Sequence, residues 1–173
     1  MKDYSNNYAP KGKVLWDSWF INRGDECHMF YLQAEPSDDP TLRPERNVSI
    51  GHAVSKDYNH WRELQTALEV GTGNDWDNKV LWSGCVAEKD GMYYLYYTGK
   101  HAAPGMENIQ KIGLASSNDL LTWEKHPQNP ILEADSRYHE MDNNVNALGN
   151  AGSWRDPFVF KDPHSQKRYM TIS

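Results

Sequence analysis

The sequence predicts an all-β protein in which one sheet-forming unit is repeated. Two stretches share five identical residues at a single offset of 62 positions: Gly51 and Gly113, Ala53 and Ala115, Ser55 and Ser117, Asp57 and Asp119, and Trp61 and Trp123. Aromatic residues, which favour half-buried strands, are abundant, with 7 Trp, 10 Tyr and 4 Phe. No stretch has the pattern of a long amphipathic helix. A long period made of short strands is typical of a β-propeller, whereas a β-sandwich would lack a repeat of four strands.

The first unit is predicted to contain four strands. The dense apolar run 14–21 predicts a buried strand, and residues 29–34 predict the second. Residues 48–55 alternate in strand fashion, and the small residues on one face suit close packing against a neighbouring sheet. The Ser-x-Asp sequence that follows predicts a turn, because a short Asp side chain can bond its own backbone. Trp61 then opens the fourth strand.

The repeat also predicts how many units the chain holds. The same order of strands returns once in full, and a third unit begins near residue 153. The predicted parts are an N-terminal arm (1–13) and a partial propeller (14–173), which comprises blade 1 (about 14–70), blade 2 (about 76–135) and the start of blade 3 (about 153–173). Propellers typically have at least four blades, so about two and a half blades predict an incomplete propeller. An unpaired sheet edge then predicts a homo-oligomer or a complementary propeller chain.

Composition excludes several classes of partner. The formal net charge of −6 argues against nucleic acid, because nucleic-acid domains usually carry a basic patch. No apolar run reaches the roughly 18 residues of a membrane span, so no membrane partner is predicted. The arm 1–13 is polar and is not a signal peptide. As written, the chain is predicted to be cytoplasmic, and its true localisation is unknown. Cys27 and Cys85 are predicted to be two unpaired thiols.

No cofactor and no metal site are predicted. The seven His do not cluster at ligand spacing. The oxygen-rich stretch 139–144 has side chains that suit Ca²⁺ or Mg²⁺, but a solvated loop is the favoured interpretation.

Three polar residues interrupt the apolar first strand of each unit. They are Asp17, Ser83 and Asp156, spaced by 66 and 73 residues. In a propeller the first strands line the central channel, so all three are expected to face one cavity. A carboxylate inside an apolar strand is costly unless it is paired or functional. Arg155 could form a simple ion pair with Asp156, but neighbours on a strand point to opposite faces, so a functional carboxylate framed by Arg155 and Trp154 is favoured.

Several motifs occur in a characteristic order between residues 14 and 172. They are the stretch 50–68, Leu81-Trp82-Ser83-Gly84, Tyr97-Thr98-Gly99, Asn129-Pro130-Ile131 and Arg155-Asp156-Pro157. Together they resemble the invertase, fructanase and levansucrase group of glycoside hydrolases, whose fold is a five-bladed β-propeller. The resemblance implies the N-terminal part of such a fold and a carbohydrate partner, a fructoside or a related furanoside.

The resemblance also implies roles for individual residues. Asp17 occupies the nucleophile position, in surroundings more similar to levansucrases than to invertases. Asp156 occupies the position of the transition-state stabiliser, which holds hydroxyls of a fructosyl ring. The residues that would contact the substrate are Trp16, Gln33, Trp82, Ser83 and Arg155. For Gln33 the register differs by one residue from the invertase pattern.

A retaining glycosidase needs a second carboxyl group as acid and base. In this group that Glu lies beyond the Arg-Asp-Pro motif, and no Glu follows Pro157 here. Glu26-Cys27 resembles the acid/base motif superficially, but it lies in the first blade and is rejected. The sequence therefore predicts a truncated or split retaining glycosidase for sucrose or fructan that is inactive alone. The alternatives are an inactive carbohydrate-binding or structural part-propeller that self-assembles, and an arabinan- or xylan-directed relative.

Overall fold

The computed structural model describes residues 8–39, 44, 46–106, 108–135, 137 and 154–173. Within these ranges all regular elements are β-strands, as the sequence predicts. The strands are β1 (Val14–Arg23), β2 (Glu26–Ala34), β3 (Ser49–Ser55), β4 (Arg62–Glu63), β5 (Val80–Lys89), β6 (Met92–Lys100), β7 (Gln110–Ser117), β8 (Glu124–Lys125), β9 (Leu132–Glu133), β10 (Phe158–Lys161) and β11 (Arg168–Thr171). None of the described residues lies in a helix long and apolar enough to cross a membrane.

The strands form three antiparallel sheets that follow the repeat. Blade 1 has the order β1-β2-β3-β4. Blade 2 has the order β5-β6-β7-β8, and β9 pairs with β7 further along the same edge. The blade 3 hairpin consists of β10 and β11. Two consecutive sheets with the same meander order are the arrangement of neighbouring propeller blades.

The main hydrophobic core lies between blades 1 and 2. Phe30 and Leu32 from β2 pack with Leu81 from β5 and Leu95 from β6, and all four side chains are fully buried. Burying one such side chain stabilises a fold by roughly 1.5–3 kcal/mol. Trp123 of blade 2 extends the same core, since its ring meets Phe30 edge-on with centroids 5.6 Å apart. The two blades therefore share one core.

The Ser-x-Asp turn forms as the sequence predicts. Ser55 Oγ accepts the backbone N–H of Tyr58 at 2.9 Å, and Asp57 Oδ1 accepts that of His60 at 2.8 Å. Blade 2 repeats both bonds, with a left-handed residue at the same place: Tyr58 has φ 62° and Leu120 has φ 67°. The two residues differ in burial, because Leu120 is fully buried in the core shared with blade 1 and Tyr58 is 62% exposed.

The small residues of β3 and β7 have a different partner from the one predicted. A Cβ at Gly113 would lie 2.4 Å from Cζ of Tyr97, on the adjacent strand of the same sheet. A Cβ at Gly51 would lie 2.3 Å from Cε2 of Tyr31. The glycines thus make room for a tyrosine ring within their own sheet, and the predicted packing against a neighbouring sheet is wrong at these positions.

Each of these tyrosines is covered by the segment that precedes its blade. Tyr8 shares a 2.7 Å hydrogen bond between hydroxyl groups with Tyr31. In blade 2 the ring of Trp76 stacks on Tyr97 at 5.8 Å, and the Tyr97 hydroxyl donates to the buried Asp77 carboxylate at 3.0 Å. The segment before β1 and the segment before β5 therefore both cover a buried tyrosine of the blade that follows.

The prediction that 14–21 is a buried strand is wrong. Val14 is 36% and Phe20 is 53% exposed, and burial along β1 is intermediate at best. Both β1 and β5 are edge strands of their sheets, but they differ in their contact with the shared core. Val80, Leu81 and Trp82 of β5 are buried in it, whereas Trp16, Trp19 and Ile21 of β1 pack against it only partly. Local hydrophobicity alone does not show which of two edge strands is buried.

Two histidines are buried together in blade 1. His28 Nδ1 and His52 Nε2 share a hydrogen bond of 2.9 Å, and the His52 ring stacks on Phe30 with centroids 4.3 Å apart. Burial lowers the pKa of His28, and burial together with the nearby His28 lowers the pKa of His52 from 6.5 to about 3. The folded state therefore keeps this pair neutral at pH values at which the unfolded chain takes up protons.

We expect the free energy of unfolding to fall as the pH drops below 6.5, by about 1.4 kcal/mol per pH unit while His52 stays neutral in the folded state. The sign follows because the unfolded state binds more protons in this range. Urea unfolding between about pH 6.5 and about pH 4.5, where most carboxylates are still ionised, measures the slope. The double substitution His28→Gln and His52→Gln should flatten it, and the control His164→Gln, at an exposed site, should not. An unchanged slope in the double variant would contradict this account.

Candidate functional site

Two strand irregularities at matching positions present polar side chains. The pairing of β1 with β2 skips Asp17, and the pairing of β5 with β6 skips Ser83. Such β-bulges leave one residue unpaired and re-aim its side chain. Ser83 Oγ donates to Asp17 Oδ2 at 2.7 Å, so the two bulges meet directly across the blade boundary. The structure therefore brings together two of the three positions that the repeat singles out.

Both predicted catalytic aspartates have left-handed backbone. Asp17 has φ 36° and Asp156, which lies just before β10, has φ 56°. Asp is enriched in this region among non-glycine residues, and strained backbone clusters at functional sites. The two carboxylates are near enough for the charge of Asp17 to affect the titration of Asp156.

The environment of Asp156 is partly buried and of mixed charge. Burial raises the pKa of the Asp156 carboxyl, and the Asp17 carboxylate raises it further; Arg155 and the Ser173 hydroxyl act in the opposite direction. Arg155 Nε lies 3.5 Å from Asp156 Oδ2. This ion pair contradicts the expectation that the two side chains point apart, because residue 156 precedes the strand and does not have strand backbone.

Side chains of blade 2 hold the backbone that carries Asp156. The Trp154 N–H donates to Gln110 Oε1 at 3.1 Å, and the Asp156 N–H donates to Thr98 Oγ1 at 3.0 Å. Thr98 Oγ1 also donates to the carbonyl oxygen of Ser83 at 3.3 Å. Sequence reasoning gave Thr98 and Gln110 no role. The Tyr-Thr-Gly motif points to Thr98, whereas no sequence signal points to Gln110.

Two tryptophans flank the bulges. Trp16 precedes Asp17 and Trp82 precedes Ser83, and their rings meet edge-on with centroids 6.4 Å apart. Trp82 is 8% exposed and belongs to the core, whereas Trp16 is half-buried. Of the two, Trp16 offers more ring surface to a ligand.

Gln33 lies apart from these groups in the hydrogen-bond network. It is 2% exposed, and its Nε2 donates to Ser49 Oγ at 3.3 Å and to Thr66 Oγ1 at 3.1 Å. Within the described ranges, the hydrogen bonds of its side chain join it to blade 1 and not to Asp17 or Asp156. Its substrate contact stays a prediction.

The carboxylate of Asp17 is accessible at this site. Asp17 is exposed and held by a hydroxyl donor, which leaves carboxylate oxygen available as a nucleophile. In the described part of the chain, no group of three or more His, Cys, Asp or Glu is placed to hold a metal ion. The stretch 139–144 lies outside the described residues. Cys27 and Cys85 are free, as predicted. Both are buried, and burial raises the pKa of Cys85 to about 11.

Comparison with known proteins finds relatives that agree with one another in the family they indicate. The sequence profile of the family "Glycosyl hydrolases family 32 N-terminal domain" matches residues 18–173. A sucrose:sucrose 1-fructosyltransferase from Festuca arundinacea is 34% identical over 172 residues, which are 99% of this chain and 22% of that protein. An extracellular exo-inulinase from Aspergillus awamori is 30% identical over 148 residues, with 73% of this chain and 26% of that protein covered.

Solved structures agree on the fold. The β-fructofuranosidase from Schwanniomyces occidentalis, complexed with fructosyl-erythritol, superposes with a TM-score of 0.70 at 18% identity, and the match covers 96% of this chain and 30% of that chain. The exo-inulinase from Aspergillus awamori gives 0.69 at 24% identity, with 96% and 34% covered.

These enzymes are five-bladed β-propellers, and this chain matches only part of each. The predicted fold class, an incomplete propeller, is thereby confirmed. The chain spans about a quarter of the length of the relatives it matches. Because the profile covers most of the sequence, the chain belongs to glycosyl hydrolase family 32, within the N-terminal domain of that family.

Proposed function

We propose that this chain carries the fructosyl-binding and nucleophilic part of a retaining enzyme that acts on sucrose or fructans. The observation that carries the proposal is the hydrogen-bonded unit in which Ser83 joins Asp17 and Thr98 joins Ser83 to Asp156. The relatives named above support a fructoside as substrate, since they are a sucrose fructosyltransferase and an inulinase.

In the proposed reaction Asp17 attacks the anomeric carbon of a fructosyl group. A bond forms between a carboxylate oxygen and that carbon while the bond to the leaving oxygen breaks. Asp156 accepts hydrogen bonds from sugar hydroxyls, and Arg155 at 3.5 Å favours its ionised form. Water or a sugar hydroxyl then attacks the anomeric carbon, gives its proton to the second carboxyl group that a retaining enzyme requires, and releases the Asp17 carboxylate.

The leaving oxygen also needs a proton donor, which contributes roughly 10²–10⁴-fold to such reactions. Glu26 does not fit this role. It lies opposite Arg23 in the register of β1 and β2, at the turn end of this hairpin and far along the strand from Asp17. Among the described residues, Ser83 is hydrogen-bonded to Asp17, and no glutamate is. We therefore propose that the acid/base lies in another part of the propeller and that these 173 residues alone turn over natural fructosides very slowly.

An activated donor tests the nucleophile without requiring the acid. β-D-Fructofuranosyl fluoride releases fluoride, a leaving group that needs little protonation. Incubation with the 173-residue chain should release about one equivalent of fluoride per chain and leave one fructosyl group on Asp17, located by peptide mass spectrometry. α-L-Arabinofuranosyl fluoride, the matched probe for an arabinan-directed enzyme, should react far more slowly. Absence of an adduct, or an adduct on another residue, would overturn the proposal.

A further inference from the structure

We propose that Thr98 is a positioning residue, whose hydroxyl group fixes Asp156 relative to Asp17. This inference rests on the proposed function, because it assigns Thr98 to the same reaction. Thr98 touches neither sugar nor nucleophile in this scheme and acts through its two neighbours.

The geometry of the hydroxyl group carries the inference. Thr98 lies in β6 with its side chain fully buried. Its Oγ1 accepts the Asp156 N–H at 3.0 Å and donates to the Ser83 carbonyl at 3.3 Å. Ser83 Oγ in turn donates to Asp17 Oδ2 at 2.7 Å. Hydrogen bonds therefore link Asp156 to Thr98, Thr98 to the carbonyl of Ser83, and the side chain of Ser83 to Asp17. This path, completed by the covalent bonds of Ser83, includes segments from all three blades.

A hydroxyl group is chemically suited to this junction. Ser83 is skipped by the pairing of β5 with β6, and Asp156 precedes β10, so both lie outside regular strand pairing. One group must then accept from an N–H and donate to a C=O, which a hydroxyl can do with its single donor and two lone pairs. A valine has nearly the same shape and can do neither.

In blade 1 the equivalent bulge forms without a hydroxyl group opposite it. Thr98 is opposite Trp82 at the blade 2 bulge, and Leu32 is opposite Trp16 at the blade 1 bulge. Leu32 is fully buried at its equivalent site and packs in the shared core. Formation of the bulge therefore does not account for the hydroxyl of Thr98. The hydroxyl is present where blade 2 meets the backbone of Asp156.

Rigid placement of this kind has a measurable kinetic value. A displacement of about 1 Å at a reacting group can lower a rate by about 100-fold. Without the Thr98 hydroxyl, the Asp156 N–H and the Ser83 carbonyl lose a shared partner, and the left-handed backbone of Asp156 loses a restraint.

Two readouts on one set of variants test the proposal. The variants are Thr98→Val, Thr98→Ser and the control Thr171→Val, which removes a hydroxyl from the blade 3 hairpin 3.5 Å from the Phe158 carbonyl. With β-D-fructofuranosyl fluoride, Thr98→Val should lower the labelling rate by about 10- to 100-fold, and Thr98→Ser and Thr171→Val should stay close to the original chain.

The second readout needs no sugar. NMR titration of the Asp156 carboxyl should show that Asp17→Asn lowers the Asp156 pKa, because a nearby negative charge is removed. In the Thr98→Val background this effect of Asp17→Asn should shrink, since the two carboxyl groups are no longer held in one geometry. It should persist in the Thr98→Ser and Thr171→Val backgrounds.

The second readout decides the proposal even if the enzymatic function fails. If the original chain gives no fructosyl adduct, the proposed function is wrong, and the inference about Thr98 is judged by the titration alone. An effect of Asp17→Asn that is equal in the original chain and in the Thr98→Val background overturns it. Should Thr98→Val not fold, Ser83→Ala cuts the same path beside Asp17 and must also reduce the effect of Asp17→Asn; an undiminished effect there overturns the proposal as well.

Discussion

Replacing Asp17 by Asn should abolish covalent labelling by β-D-fructofuranosyl fluoride, with a rate loss of about 10⁴-fold or more. An amide is not a useful nucleophile, whereas its size, its ability to accept from Ser83 and its tolerance of left-handed backbone match those of Asp. Mass spectrometry of the intact chain measures the labelled fraction over time.

The matched control for this substitution is Asp90→Asn. Asp90 is exposed in the β5–β6 turn and also has left-handed backbone, with φ 55°. Its replacement should leave the labelling rate unchanged. If Asp17→Asn were labelled as fast as the control, Asp17 would not be the nucleophile.

Replacing Gly84 by Ala should lower the free energy of unfolding by about 3 kcal/mol or more. A Cβ on Gly84 would lie 1.9 Å from the carbonyl oxygen of Tyr96 on the neighbouring strand. Backbone cannot move aside as a flexible side chain can, so the bulge that presents Ser83 must deform. Urea unfolding at neutral pH measures the loss.

Gly91→Ala separates this clash from backbone strain. Gly91 has φ +81° with open space around the added methyl group, so its cost is the left-handed conformation alone, about 1–2 kcal/mol. A loss at Gly84 no greater than the loss at Gly91 would show that the bulge relaxes easily. Any folded Gly84→Ala chain should also be labelled more slowly, since Ser83 holds Asp17.

Features that depend on local chemistry could be predicted from the sequence. The repeated turn is one, because Ser55 and Asp57 bond backbone groups only a few residues away. The positions of Asp17 and Ser83 are another, since each interrupts the first strand of its unit, although the bulges that present them were not predicted. Periodicity thus located the residues at which blades 1 and 2 meet through a hydrogen bond.

Features that depend on pairing between distant segments could not. The exposure of Phe20 depends on which edge strand lies in the core that the two blades share, and the role of Gly113 follows from a tyrosine on an adjacent strand. The left-handed backbone of Asp156 places its carboxylate beside Arg155, where strand alternation predicted separation. The domain limits, the homo-oligomer or complementary chain, the localisation and the catalytic and substrate-binding roles of the site residues, Gln33 included, stay predictions.

The covering of Tyr31 by Tyr8 and of Tyr97 by Trp76 changes where the evolutionary and engineering unit begins. A module cut at the first residue of β1 or β5 would lose the aromatic residue that covers Tyr31 or Tyr97, although every strand would be intact. Gene duplication, circular permutation or blade exchange in this protein should therefore use breakpoints ahead of Tyr8 and Trp76. The segment to transfer is a blade together with the residues that precede it and cover its tyrosine.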